Sequence, residues 1–529
     1  MAEVIPVSGP GFPAKLLRML LLGQMWSFVL FIPALDLVTT RTNRYFLHWS
    51  ATALLVRLGW VTAIGLGITG LGAGLRASSR AAYERLAPVG ALLCVALLAG
   101  SHAYFGGLVL VVIPVLLLWS RRRRVAWSLA GIHGGLQRAC LFLAPVLPLF
   151  WLNAATYDTF GPASVPTLED ARRVPARPGE TPADDVYVFV FDGWSYRLTF
   201  PTGEVAPEFP SLRAAAGGMC VFRDAHSPGC WTLGSMPRLL FQRRDRIALR
   251  GPRAGFWDGE FRPVEGLPSL FTGAREHGYR TYMVGWGHPY HRLVEGSVDH
   301  VRSVCYYHSL GESPWSMGIS FLWDAGLALQ PTLARVAFGS YQVQRNRALV
   351  LQTRLLLDHA TAVLEDPRPG QFAVFHLPPP HWPFCFRLDG PRDLDAEYEN
   401  SSPELAQEQL QYLDRVFGDF ESKLRAGGKW DRATVVLTSD HTWVDDPELK
   451  ASGASAERMT HVPLLIKFPG QQEASRVDAP FSNTWLADLL EAVRRERVDP
   501  VGLDRLVRER AWHQPLANEE IDFRRPLEK

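Results

Sequence analysis

Acidic and imidazole side chains follow apolar runs of strand length at three places in the sequence. Asp192 follows the first run, Asp440 and His441 follow the second, and a proline-rich segment with His381 follows the third. Continuous apolar runs of this length predict buried parallel strands, and the carboxyl ends of such strands carry the functional site in open α/β sheets. Carboxylates and imidazoles are ligands that suit zinc or manganese, so we expect a metal site where these strands end.

A hydroxyl group for nucleophilic chemistry is available in the segment 225–237, which precedes an apolar stretch. A threonine at the start of a helix has backbone N–H groups beside it to hold an anion, and a metal can lower the pKa of its hydroxyl. Thr232 fits this role best, and Ser235 is the second choice. The structural alternative is that Thr232 only caps a short helix.

The elements that must position these groups define the fold class. Strands ending at Asp192, Asp440 and the His381 segment have to lie side by side, which predicts an α/β domain with a mostly parallel central sheet flanked by helices.

The chain of 529 residues changes composition near residue 155. Long runs of Leu, Val, Ala, Gly and Trp precede that point, and charged residues occur at ordinary globular density after it. We therefore predict a transmembrane domain over 1–155, a proline-rich linker over 156–184 and an external catalytic domain over 185–529. The net charge of +2 indicates no nucleic-acid-binding arm.

The membrane part is predicted to have about five spans. Apolar stretches cover 16–38, 51–75 and 125–152, and the uncharged stretch 86–119 is long enough for one span or two short ones. Splitting it puts both arginine-rich loops on the same side as the N-terminus, as the positive-inside rule requires. Everything after residue 155 then lies outside.

Six cysteines are present, four of them in the predicted external domain: Cys220, Cys230, Cys305 and Cys385. They are compatible with two disulfides or with buried free thiols.

The order of these features resembles the sulfatase-like family of the alkaline phosphatase superfamily, over roughly residues 185–470. The strongest matching pieces are Thr438-Ser439-Asp440-His441 and the segment 461–470, which reads His-Val-Pro-Leu-Leu-Ile-Lys-Phe-Pro-Gly. In layout the chain is most similar to membrane-bound phosphoethanolamine transferases and lipoteichoic acid synthases, which also have five spans and an external catalytic domain.

The resemblance implies a role for each of six residues. Asp192, Thr232, Asp440 and His441 would surround one divalent metal, manganese or zinc or else calcium or magnesium, with Thr232 as the nucleophile. His381 would contact the transferred group or its leaving oxygen. His461 would bind a second metal or the substrate.

Two departures from the sulfatase pattern affect the implied chemistry. Many sulfatases have a second acid after the first aspartate, where this chain has Gly193, and they use a cysteine or serine that is oxidised to formylglycine, where it has Thr232. A threonine cannot undergo that oxidation, which favours phosphoryl transfer over sulfate hydrolysis.

The resemblance therefore implies a phosphotransferase in the bacterial inner membrane, with its catalytic domain on the periplasmic or extracellular side. It would move a phosphoethanolamine or phosphoglycerol group from a phospholipid donor to an envelope glycan or lipid acceptor, through a phosphothreonine. A hydrolase of sulfate esters or phosphodiesters and a catalytically degenerate envelope scaffold are the alternatives.

Overall fold

The computed structural model describes residues 168–175, 182, 184–305, 341–513 and 527–528, apart from 251–252, 295, 395, 397, 400, 454 and 497–498, together with scattered positions between 59 and 82. The chain divides into two compact units, one of residues 1–163 with 309–341 and the other of residues 164–308 with 342–529. The predicted membrane spans lie almost entirely outside the described residues, among which no helix is both long and apolar enough to cross a membrane. The predicted domain boundaries stay predictions.

The second unit contains a sheet whose strands come from distant parts of the sequence. The strands are β1 (Val186–Phe191), β2 (Cys220–Phe222), β3 (Ala225–His226), β4 (Arg246–Arg250), β5 (Arg253–Trp257), β6 (Phe261–Pro263), β7 (Arg280–Gly287), β8 (His300–Cys305), β9 (Gln371–Leu377), β10 (Phe386–Arg387), β11 (Gly390–Pro391), β12 (Thr434–Ser439), β13 (Leu464–Lys467), β14 (Ser475–Val477), β15 (Phe481–Ser482) and β16 (Leu527–Glu528). Eight of them form the main sheet, in the order β14-β2-β13-β12-β1-β9-β7-β8.

Helices connect these strands. They are α1 (Leu168–Arg172), α2 (Tyr196–Thr199), α3 (Pro210–Ala216), α4 (Thr232–Phe241), α5 (Leu270–Glu276), α6 (Tyr290–Val294), α7 (Tyr341–Leu364), α8 (Pro403–Ala426), α9 (Pro447–Ala451), α10 (Ala456–Thr460), α11 (Leu486–Glu496) and α12 (Leu503–Arg510). A 3-10 turn over Asn483–Trp485 precedes α11.

The centre of the main sheet is parallel. β1 pairs in parallel with β12 on one side and with β9 on the other, and β9, β7 and β8 continue in parallel. Only β13 runs antiparallel to its neighbours in this sheet. The predicted mostly parallel α/β fold is therefore confirmed for this part of the chain.

The register of the central strands brings their carboxyl ends to one edge. Phe191 lies opposite both Ser439 of β12 and Leu377 of β9. Residues that follow these positions, such as Asp192 and Asp440, therefore leave the sheet at the same level.

The apolar runs form strands because both faces of the sheet are covered. Every residue of β1 is buried. Phe189 stacks on Phe375 of β9 at 5.0 Å between ring centroids and on Phe420 of α8 at 5.3 Å. Burial of such rings supplies most of the stabilisation that fixes the strand positions.

Cys220 and Cys385 are free and buried, and Cys230 is buried as well. Of the two alternatives, this arrangement supports buried thiols for Cys220 and Cys385.

Asp414 has a structural position inside α8. Its carboxylate accepts hydrogen bonds from the backbone N–H groups of Ser211 at 3.1 Å and Leu212 at 2.7 Å, at the start of α3. Since helix N-termini carry unpaired N–H groups, Asp414 joins α3 to α8.

Gly285 of β7 is predicted to be intolerant of any side chain. A Cβ there would overlap the buried ring of Tyr290 and come within 2.7 Å of Met283 Cε. Gly285→Ala should destabilise the protein by about 1–3 kcal/mol, because a packed core resists added volume. The check is the unfolding midpoint of the purified full-length protein, followed by far-UV circular dichroism.

Gly273→Ala is the matched control. A Cβ at Gly273, in α5, meets nothing within 4 Å, and alanine favours a helix over glycine by up to about 1 kcal/mol. Its midpoint should stay or rise, and an unchanged midpoint for Gly285→Ala would contradict the packing argument.

Candidate metal centre

Two buried carboxylates meet at the carboxyl edge of the sheet. Asp192 follows β1 and Asp440 follows β12, and both are fully buried. Asp440 Oδ1 accepts the N–H groups of Gly193 at 3.1 Å and His441 at 2.9 Å. Gly193 has φ +72°, a conformation that favours glycine, and it turns the chain so that this N–H points at Asp440.

Thr232 lies against this carboxylate pair. It is the first residue of α4, which no side chain caps. Its Oγ1 is 3.2 Å from Asp192 Oδ2 and 3.2 Å from His441 Nε2. The hydroxyl therefore faces the cluster and the helix N-terminus lies beside it, an arrangement that suits an anionic group.

The orientation of His441 is fixed by the backbone. Its Nδ1 lies 2.7 Å from the carbonyl oxygen of Thr442, so Nδ1 carries the hydrogen and Nε2 presents a lone pair. Nε2 is 3.4 Å from Asp192 Oδ1 and 3.5 Å from Asp440 Oδ2. This is the tautomer that a metal ligand requires.

The cluster fits a divalent cation. Ligand atoms of Asp192, Asp440 and His441 lie within 4.8 Å of one another, and all three residues are buried. Asp192 Oδ1 and Asp440 Oδ2 have no hydrogen-bond partner among the described residues. Buried carboxylate oxygens of this kind are strongly unfavourable unless a cation or donor satisfies them.

Two pKa shifts report the negative charge at this edge. Burial raises the pKa of Asp440, but the imidazoles of His441 and His376 more than offset that effect and the net shift is downward. Burial lowers the pKa of His376, yet the carboxylates of Asp192 and Asp440 raise it to about 9. Both shifts indicate a place where positive charge is favoured.

His381 lies beside the cluster rather than inside it. A Cβ at Gly193 would lie 3.7 Å from His441 Cε1 and 3.9 Å from His381 Cα, so the two histidines border the same glycine. His381 Nδ1 is bonded to the carbonyl oxygen of Trp382, which leaves Nε2 for a substrate. Burial lowers the pKa of His381, and the charge of Arg345 acts in the same direction.

Arg345 and two tryptophans surround His381. The guanidinium carbon of Arg345, in α7, is 4.3 Å from the ring centroid of Trp382. Trp286 of β7 meets the His381 ring edge-on at 4.9 Å. Arg345 thus adds positive charge near His381, and no sequence pattern marked it because it comes from a distant helix.

His461 is not part of the Asp192 cluster. Its Nε2 is 3.0 Å from the carbonyl oxygen of Arg223, and its ring lies 4.1 Å from that of Tyr196. It lines a separate cavity of about 390 Å³ together with Thr442 and Arg458. That His461 binds a second metal or the substrate stays a prediction.

Two further histidines reach the centre. His376, in β9, places Nε2 at 3.5 Å from Asp192 Oδ2. His288 is buried, which lowers its pKa to about 4, and its Nε2 lies 2.8 Å from the carbonyl oxygen of Thr232. The pattern of polar residues after apolar runs identified His381, because it follows a strand. It missed His376, which lies within β9, where an apolar residue is expected.

Replacing either carboxylate is predicted to remove metal binding. Adding manganese or zinc to the metal-stripped wild-type protein should raise its melting temperature, because a ligand at about 100 times its Kd contributes about 2.7 kcal/mol. Asp192→Asn and Asp440→Asn should lose this rise and the metal content measured by mass spectrometry. Asp414→Asn, a buried acid remote from the cluster, should keep both, and a normal metal response in Asp440→Asn would exclude the site.

Comparison with known proteins supports the assignment of the domain. Residues 192–493 match the family described as Sulfatase. No curated protein matches the chain.

Solved structures of similar fold share little sequence with this chain. The phosphonate monoester hydrolase of Agrobacterium radiobacter is 16% identical, with a TM-score of 0.42, and the match covers 59% of this chain and 73% of that one. The lipoteichoic acid synthase LtaP from Listeria monocytogenes is 13% identical, with a TM-score of 0.33, covering 61% and 76%. Ps i-CgsB is 16% identical, with a TM-score of 0.42, covering 59% and 72%.

The family match spans more than half of the chain and includes every residue of the carboxylate cluster and Thr232. The chain therefore belongs to the sulfatase family, as a sulfatase-like metal-dependent enzyme.

Proposed function

We propose that the protein is a membrane-anchored phosphotransferase that works through a phosphothreonine at Thr232. The observation that carries this proposal is the position of Thr232 Oγ1, 3.2 Å from both Asp192 Oδ2 and His441 Nε2. A hydroxyl held there by a carboxylate and an imidazole is placed for nucleophilic attack. A threonine at this position also has no route to formylglycine.

A divalent cation held by Asp192, Thr232, Asp440 and His441 would lower the pKa of the Thr232 hydroxyl and neutralise charge on the phosphoryl oxygens. The protein groups do the rest. Asp192 Oδ2 accepts the hydrogen bond of the hydroxyl and keeps Oγ1 pointing out of the helix. His288 holds the carbonyl oxygen of Thr232 and so fixes the first turn of α4.

In the first step Oγ1 of Thr232 bonds to phosphorus and the bond from phosphorus to the lipid oxygen breaks. The hydroxyl proton passes to that leaving oxygen, so a neutral lipid alcohol departs and the substituted phosphoryl group stays on Thr232. In the second step an acceptor hydroxyl attacks phosphorus and the bond to Oγ1 breaks. His381 Nε2, the free nitrogen of a ring whose pKa is lowered, accepts the acceptor proton, which returns to Thr232.

Charge and space around the centre suit an anionic donor and a bulky acceptor. Arg345 adds positive charge near His381, which favours a phosphodiester. The cavity of about 390 Å³ next to Thr442 has an aromatic wall of Tyr196 and Phe200, whose rings stack at 4.8 Å. We assign the acceptor to this cavity.

The layout of the chain supports the proposed donor and location. The apolar runs before residue 155 support an anchor in the bacterial inner membrane, with the catalytic unit on the periplasmic or extracellular side. A phospholipid carrying phosphoethanolamine or phosphoglycerol is then within reach as donor, and an envelope glycan or lipid as acceptor.

Replacing the nucleophile is predicted to remove transfer and the covalent intermediate together. Thr232→Ala should lower kcat/KM on the order of 10³-fold or more, because attack by a side chain is no longer available. Intact-mass spectrometry after incubation with metal and phosphatidylethanolamine should detect an adduct on wild-type Thr232 only.

Ser235→Ala is the matched control within the same helix. Ser235 is buried and its Oγ has no hydrogen-bond partner among the described residues. Its loss should leave both activity and adduct in place. An adduct that persists in Thr232→Ala would refute the assignment.

Substrate preference separates the transferase from a hydrolase of sulfate esters, which membership of the sulfatase family leaves as the second candidate. We expect aryl phosphodiesters to be turned over faster than aryl sulfates, and added acceptor alcohols to increase release of the leaving group. Preference for the sulfate ester, with no effect of alcohols, would instead establish the hydrolase.

A further inference from the structure

His376 has a ring nitrogen that the proposed reaction leaves without a role. The residue is fully buried in β9, and its Nε2 has no hydrogen-bond partner among the described residues. Nε2 lies 3.5 Å from Asp192 Oδ2 and 3.7 Å from Asp440 Oδ2. These separations are too long for hydrogen bonds.

The other nitrogen of His376 is held in place from β7 and α6. Nδ1 lies 2.7 Å from the carbonyl oxygen of Trp286 and 2.6 Å from the hydroxyl of Tyr290. A carbonyl oxygen only accepts, so Nδ1 carries the hydrogen. When the ring is neutral, as a bound cation would require, Nε2 presents its lone pair toward the two carboxylates and can share the cation with them.

The spacing around the cluster is that of ligand atoms sharing one cation. Metal bonds of 2.0–2.1 Å place ligands about 3.3–3.4 Å apart in a tetrahedron and between about 2.9 and 4.2 Å apart in a five-coordinate site. Thr232 Oγ1 and His441 Nε2 are 3.2 Å apart, and His441 Nε2 is 3.4–3.5 Å from the carboxylates. The His376 distances of 3.5 and 3.7 Å belong to the same range.

We infer that His376 Nε2 is a fifth ligand of the cation and that the site selects a transition metal over calcium or magnesium. Five ligands then surround the ion: Asp192, Thr232, His376, Asp440 and His441. Two imidazoles in the set suit zinc or manganese, whereas calcium and magnesium take oxygen ligands almost exclusively. The inference rests on the metal site of the proposed function and not on the transfer reaction.

Cobalt is the probe that tests the inference without turnover. Full-length protein stripped of metal is titrated with Co²⁺, and the visible absorption bands, which depend on ligand number and type, are recorded together with the affinity. His376→Gln should weaken Co²⁺ binding by about 10-fold or more and change the bands, since even loss of an outer hydrogen bond to a ligand costs about 10-fold. Calcium in large excess should not displace Co²⁺ from the wild-type protein.

Two further variants separate ligation from folding. His359→Gln replaces another buried histidine, whose Nδ1 bonds the Leu355 carbonyl within α7, and it should bind Co²⁺ normally. Tyr290→Phe keeps the ring but removes the hydroxyl at His376 Nδ1, so it should shift the bands even if His376→Gln fails to fold.

Several results would overturn the inference. Unchanged bands and affinity in a folded His376→Gln protein, or unchanged bands in Tyr290→Phe where His376→Gln does not fold, would leave His376 a structural residue. Displacement of Co²⁺ by calcium, even in large excess, would contradict the metal preference. If Asp440→Asn also bound cobalt normally, the metal site itself would be wrong, a separate failure from that of His376.

Discussion

Repulsion between Asp192 and Asp440 constrains the whole carboxyl edge of the sheet. The two carboxylates are fully buried, and each has an oxygen within 4.8 Å of an oxygen of the other. Like charges this close repel strongly where water is excluded. They are brought together by the parallel register of β1 and β12, which places Phe191 opposite Ser439. The pairing of apolar strands therefore brings two buried negative charges together, and groups in the surrounding loops must offset their repulsion.

Backbone N–H and side-chain hydroxyl groups offset part of this repulsion, and they fix the positions of the strand ends as they do so. The N–H groups of Gly193 and His441 bind one oxygen of Asp440, which leaves the other for a cation. Ser439 Oγ lies 2.6 Å from the carbonyl oxygens of Phe191 and His441 and so joins the ends of the two strands. The polar groups at this edge are thus oriented by hydrogen bonds to neighbouring groups, and these bonds keep the centre rigid.

The sequence was sufficient to predict the residues that follow strands, and insufficient for those that lie within them. Asp192 and the Asp440-His441 pair follow apolar runs, and parallel strands place their carboxyl ends at one edge, so convergence could be inferred. His376 and Arg345 could not, because the position of His376 depends on β7, nearly a hundred residues away, and Arg345 arrives from α7. Pairing across such distances is decided by packing, which periodicity does not report.

Gly193 shows how one residue influences both conformation and charge. Its φ of +72° allows the N–H to reach Asp440, which a side chain at that position would hinder. It also keeps a third carboxylate out of the cluster, so that the two charges of Asp192 and Asp440 balance one divalent cation. A third carboxylate, found here in many sulfatases, would leave the loaded centre negative. The anionic substrate of the proposed reaction would then need more than the charge of Arg345 to approach Thr232.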